Sequence, residues 1–173
     1  MADLRIGILT CSNSRAAGEA EDVAGREIIE RCEARGWLVV AYHVCPFEFE
    51  CISSSLIEMS DVDDADVIVT LGGTGLGPGD ITPEVTERVS ERLVPGIAER
   101  IRAVAATVPG ALVPGEPRSA EDCSMFSRAT AGIRGNTLIL NLPGGTEPTA
   151  RCFDVVADHL ERASSAVRGQ EPT

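Results

Sequence analysis

The apolar run Val67 to Leu71 opens directly into Gly72-Gly73-Thr74-Gly75, with Asp80 and the triplet Thr82-Pro83-Glu84 a few residues further on. Glycines let backbone N–H groups approach an anion closely, and a helix N-terminus adds its dipole, so strand, glycine loop, acid and helix start can together hold a phosphate. Thr82 suits a cap, Pro83 the first turn and Glu84 the positive end of the dipole. The segment is neither a Walker loop, which needs Lys before Ser or Thr, nor the dinucleotide pattern GxGxxG. A tight turn carrying a solvated aspartate fits the same residues, and spacing alone leaves both readings open.

The elements that position this segment read as an α/β chain. Leu4 to Leu9 is predicted as the first strand, ending in a polar loop from Thr10 to Arg15. Val23, Ile28, Ile29 and Cys32 recur at helical spacing after Asp22, and Gly36 stands where a C-terminal cap belongs. Trp37 to Val44 is predicted as the second strand, stopped by Pro46, and Ile52 to Met59 as the second helix. The helix from Thr82 is expected to run to about Arg92, and another to cover Ile97 to Val104. Val108 to Glu121 holds three prolines and two glycines and is predicted to be a loop. Order resumes over Ser127 to Ile133; Thr137 to Leu142 is a last buried strand before Pro143-Gly144-Gly145, and Pro148 to Ala166 an amphipathic helix. In such sheets ligands sit beyond the carboxyl ends of the strands, where the glycine loop lies.

The 173 residues fit one domain, and a 43% apolar share with 3% aromatics implies a core of Val, Ile, Leu and Ala. A net charge of -12 argues against binding nucleic acid or an anionic membrane, so an anionic ligand needs a local site of backbone N–H groups. No apolar run reaches the ~20 residues that span a bilayer. The six cysteines contain no CxxC pair and no secretory leader precedes the first strand, so reduced thiols in a cytoplasmic protein are expected. Cys45 and Cys51, flanked by Glu48 and Glu50, lack the further ligands that a metal site requires. His43 and His159 are isolated, without a serine or carboxylate that any motif places beside them.

Gly72-Gly73-Thr74-Gly75 followed by Asp80-Ile81-Thr82-Pro83-Glu84 closely resembles the signature of the MogA/MoaB family of molybdenum cofactor biosynthesis proteins, which includes the gephyrin G domain. Segments in the same order strengthen the likeness: Ser12 to Arg15, Gly18, Asp22 and Gly25; Pro95-Gly96 with Glu99; Ser127-Arg128 with Ala131-Gly132; and Asn141-Leu142-Pro143-Gly144. It covers about residues 4 to 160. The resemblance implies a three-layer α/β/α single domain with a mostly parallel sheet, assembled as a homotrimer, with the loop at 108–121 inside it. It also implies binding of molybdopterin and, in MogA-like members, its adenylylation by ATP and Mg²⁺ with release of pyrophosphate, before a partner inserts molybdenum. On that basis Gly72, Gly73, Thr74 and Gly75 are expected to cradle phosphate, and Asp80 to be the Mg²⁺-linked catalytic carboxylate. Ser127, Arg128, Asn141, Pro143 and Gly144 are expected to contact the ligand, with Ser12, Ser14, Asp22 and Gly25 as the opposite wall. Asp22 suits a helix N-cap equally well, as Arg128 suits an internal ion pair.

Two positions depart from the family pattern. Adenylylating members carry an acid directly after the proline ending the second strand; here Phe47 follows Pro46, and Glu48 is the candidate substitute. The family also offers a lysine soon after Pro143-Gly144, where this chain has Gly145-Thr146-Glu147-Pro148. Three functions compete: an adenylyltransferase, a MoaB-like protein that binds molybdopterin without the transfer, and a CinA-like domain acting on nucleotide-derived substrates.

Overall fold

The computed structural model describes residues 3–107 and 124–170, so the loop predicted over 108–121 lies outside the described residues. Six strands form one sheet: β1 (Arg5–Cys11), β2 (Leu38–Cys45), β3 (Val67–Leu71), β4 (Arg92–Leu93), β5 (Ala131–Arg134) and β6 (Thr137–Leu142). Their order is β2-β1-β3-β6-β5-β4. β2, β1, β3 and β6 are mutually parallel, while β5 is antiparallel to both β6 and β4. The helices are α1 (Asn13–Ala16), α2 (Val23–Ala34), α3 (Phe49–Asp61), α4 (Thr82–Val89), α5 (Pro95–Ala105) and α6 (Thr146–Val167).

Side-chain alternation along the central strands divides the core in two. Ile6 and Ile8 of β1, Val67, Val69 and Leu71 of β3, and Leu138, Leu140 and Leu142 of β6 pack under α2, α5 and α6, with Ile28, Ile101 and Phe153 among their partners. The intervening residues, Leu9, Cys11, Ile68 and Ile139, face Ile52, Leu56 and Met59 of α3 and Val85 and Val89 of α4. Strands covered on both faces must be largely apolar, which is why β3 and β6 are mostly Val, Ile and Leu, with only Thr70, Thr137 and Asn141 as polar residues. The three-layer, mostly parallel architecture expected from the sequence is the one observed.

Several boundaries differ from the sequence reading. The polar segment after β1 contains one helical turn, α1. α3 starts at Phe49 rather than Ile52. α4 stops at Val89, not near Arg92: Ser90 is extended at φ -87°, ψ 145°, and its hydroxyl turns back to donate to Thr86 O at 2.6 Å. Arg92 and Leu93 then pair with Ile133 and Gly132 as an edge strand too short to carry a hydrophobic period.

β1 has β2 on one side and β3 on the other, so connections leaving β1 and β3 diverge. Such a divergence opens a crevice at the carboxyl ends of the two strands, where this fold type takes its ligands.

Candidate functional site

The glycine loop forms one wall of that crevice. Gly72 and Gly73 both adopt left-handed conformations, with φ 93° and 68°. A Cβ on Gly72 would stand 2.8 Å from Cys11 O, and one on Gly73 would strike the Thr82 hydroxyl and come 2.9 Å from Phe47 Cε1. The chain therefore crosses the end of β1 only as glycine. The path is pinned by Gly72 N–H donating to Leu142 O at 3.1 Å, Thr82 N–H to Gly73 O at 3.2 Å and Arg128 N–H to Thr74 O at 2.8 Å. Among the described residues no acceptor meets the N–H groups of Gly73, Thr74 or Gly75. Among the same residues the buried Thr74 and Thr82 hydroxyls have no hydrogen-bond partner either. Buried donors left unpaired cost about 1–3 kcal/mol each, so such a group beside a crevice is shaped for an acceptor from outside the chain.

Asp80 lies half-buried on the same loop. Its Oδ2 accepts from Gly77 N–H at 2.9 Å, while Oδ1 has no partner among the described residues. Arg128 braces the loop from behind. Its Nε donates to Gly75 O at 2.7 Å, and its two terminal nitrogens reach Asp80 O and the Glu84 carboxylate. The guanidinium expected to grip an anion thus faces the loop backbone, in the internal ion pair that was its alternative. Ser127 sits beside it, its hydroxyl accepting from Ala129 N–H at 3.4 Å.

The opposite wall is built around Asp22. This carboxylate caps α2 by accepting from Gly25 N–H at 3.0 Å, and it accepts from the Thr10 and Tyr42 hydroxyls at 2.6 Å each. Arg15 lies 3.4 Å away. Gly25 is required because a Cβ there would collide with Asp22. Burial, then the bond to Asp22, pushes the Tyr42 hydroxyl well above its ordinary range. Ser12, at the end of β1, pairs its hydroxyl with that of Ser14 at 3.3 Å.

Asn141 is fully buried and points into the protein. Its amide donates to the Thr70 and Thr86 hydroxyls at 2.9 and 2.8 Å, and its oxygen accepts from Thr130 N–H at 3.2 Å. It joins β3, β6, α4 and the approach to β5, so the placement gives it a bracing task. Pro143 is buried beneath the loop, its carbonyl accepting from the Thr149 hydroxyl at 2.7 Å, and a Cβ on Gly144 would come 3.7 Å from Gly72 Cα. Of the two motifs, the Pro143-Gly144 turn borders the glycine loop and Asn141 stands behind it.

Phe47, the residue in the acid position, lies across the loop. Its ring packs on Gly73 and Gly79, and its N–H donates to Asn13 Oδ1 at 2.8 Å. Glu48 is exposed at the start of α3 and forms no side-chain cap. Among the described residues no three His, Cys, Asp or Glu side chains cluster to form a metal cage. Asp80 with one uncommitted oxygen nevertheless fits the single carboxylate with which a Mg²⁺ shared with phosphates is commonly held. The Asn13 contact was not foreseen, because it links residues 34 apart along the chain and no local motif encodes it.

The fold and crevice define a doubly wound α/β protein whose glycine loop offers unpaired donors to an anion. The chain belongs to the molybdopterin-binding family: the family model described as probable molybdopterin binding domain matches residues 7–162. It is 35% identical over 159 residues to a protein named molybdopterin adenylyltransferase from Helicobacter pylori, covering 90% of this chain and 83% of that one. It is 30% identical over 158 residues to molybdenum cofactor biosynthesis protein B of Escherichia coli K12, covering 91% and 85%. The solved MoaB structure from Thermus thermophilus matches with TM-score 0.82 at 36% identity, over 98% of this chain and 99% of that one. The Mog protein of Mycobacterium ulcerans matches with TM-score 0.81 at 30% identity, over 95% and 99%. A CinA protein from Thermoplasma acidophilum, 15% identical with TM-score 0.64, shares the fold alone. The chain's place is thus in molybdenum cofactor biosynthesis. Among the described residues no helix is long and apolar enough to cross a membrane.

Proposed function

We propose that the chain binds molybdopterin in the crevice between β1 and β3 and transfers AMP from ATP to its terminal phosphate, releasing pyrophosphate. The observation that carries this reading is the row of donors with no partner among the described residues: the N–H groups of Gly73, Thr74 and Gly75 with the buried hydroxyls of Thr74 and Thr82. They supply directional charge stabilisation where a phosphate oxygen gains charge, and such preorganised donors are each worth about 10²–10³ in rate. In the transfer a terminal phosphate oxygen of molybdopterin forms a bond to the α-phosphorus as the bond to the bridging oxygen breaks and pyrophosphate leaves. Positioning the two ligands in line is the chain's main contribution. Asp80 is the residue that would hold Mg²⁺, which neutralises phosphate charge when bound. Assembly as a homotrimer in the cytoplasm and hand-over to a molybdenum-inserting partner belong to the same reading.

A second reading, molybdopterin binding without transfer, is favoured by one observation: an aromatic ring, not a carboxylate, lies against Gly73. Pyrophosphate release from ATP with molybdopterin and Mg²⁺ separates the two, comparing wild type with Asp80→Ala and Glu48→Ala. Loss in both variants supports transfer with Glu48 as the substitute acid. Tight molybdopterin binding by wild type with no pyrophosphate leaves the binding-only reading.

A further inference from the structure

Three thiols run in file from the glycine loop to the surface. Cys11 and Cys45 are register partners at the ends of β1 and β2, both buried and both facing α3. Cys51 lies in the first turn of α3, four residues before Ser55, so the two share a helix face. The Ser55 hydroxyl is 3.3 Å from Cys45 Sγ, and Cys51, one turn before Ser55, packs against the buried cluster that contains Cys45. Cys51 is half-buried whereas Cys45 is 2% exposed. An oxidant arriving from solvent meets Cys51 first, with the Cys45 thiol in the cluster that it packs against, and a neighbouring thiol favours a disulfide over further oxidation.

We propose that Cys45 and Cys51 form a reversible disulfide under hydrogen peroxide, and that this bond controls how Phe47 lies on the glycine loop. The thiolate fraction of Cys51, which grows as pH rises, attacks peroxide, an S–O bond forms as the O–O bond breaks, and hydroxide leaves. Cys45 sulfur then attacks the sulfenic acid, losing its proton as the S–S bond forms and water departs. The two sulfurs lose two electrons and the peroxide gains them. The closed ring spans Pro46 to Glu50, so it tethers both Phe47, whose ring rests on Gly73 and Gly79, and Glu48. The effect on ligand rests on the reading of this loop as the binding site; formation of the disulfide does not.

The test treats the full chain with hydrogen peroxide, maps disulfides by mass spectrometry without reduction, and follows deuterium exchange across residues 73–80. Wild type is expected to yield a Cys45–Cys51 cross-linked peptide that dithiothreitol reverses, with loop exchange altered at least about twofold. Cys51→Ser should show neither change, and Cys11→Ser should still form the cross-link. Accumulation of Cys51 sulfinic acid while Cys45 stays a thiol would overturn the pair. A cross-link that leaves exchange at 73–80 unaltered would overturn the control of the loop. Molybdopterin binding by reduced protein is measured separately: a cross-linking protein that binds none sinks the functional reading and spares this one.

Discussion

The Phe47 ring lies against Gly73, 2.9 Å from where a Cβ on that glycine would stand, and closes the side of the loop on which an acid was expected. Gly73 is also held by its left-handed φ of 68° and by the Thr82 hydroxyl on its other side. Gly73→Ala is therefore expected to lose about 1–3 kcal/mol of stability and all phosphate binding. Urea unfolding and phosphate titration check this; a stable variant that still binds phosphate contradicts it.

Arg128 spans Gly75 O, Asp80 O and Glu84 with a planar fork that lysine cannot reproduce. With the side chain about a third exposed, Arg128→Lys is expected to cost only about 1 kcal/mol globally. The loop itself should loosen. Faster amide exchange over residues 75–80 at nearly unchanged melting temperature is the expected signature, and unchanged exchange would refute it.

Asn141→Leu keeps the branching of the side chain but strips partners from Thr70, Thr86 and Thr130 N–H in a fully buried site. A loss of about 2–4 kcal/mol is expected. Because the amide faces inward, folded Asn141→Leu should bind molybdopterin as wild type does. Calorimetric binding on the folded fraction decides between this bracing role and direct ligand contact.

Burial, then the neighbouring Cys45 thiol and the charge of Glu48, raises the Cys51 thiol to about 11. A raised value favours the thiol, so the reactive thiolate is scarce at neutral pH and grows as pH rises towards that value. Alkylation of Cys51 by iodoacetamide should accelerate about tenfold per pH unit between roughly pH 7 and 10. Glu48→Gln should speed it at neutral pH. A rate that levels off below about pH 9 would show the thiol to be more acidic than this environment allows.

Strong local signals carried much of the fold. β3 and β6 were legible because both faces are buried, and the α4 start because Thr82-Pro83-Glu84 is capping chemistry. The short β4 was not, since two exposed residues carry no period and their partners in β5 lie beyond α5, far away in sequence. The direction of the Arg128 fork and of the Asn141 amide lay equally beyond reach, because both bond to residues far away in sequence.

By itself the sequence determined the α/β class and the place of the loop, because apolar periodicity, glycine and capping residues act over a few neighbours, and its motifs carried the resemblance to the family. Tertiary structure alone decided that Asp22 and Asn141 turn inward, that Arg128 braces the loop, and that Phe47 covers Gly73 beside a pair of thiols. Those outcomes depend on which distant donors and acceptors packing brings within hydrogen-bond reach, and that is a property of the folded chain.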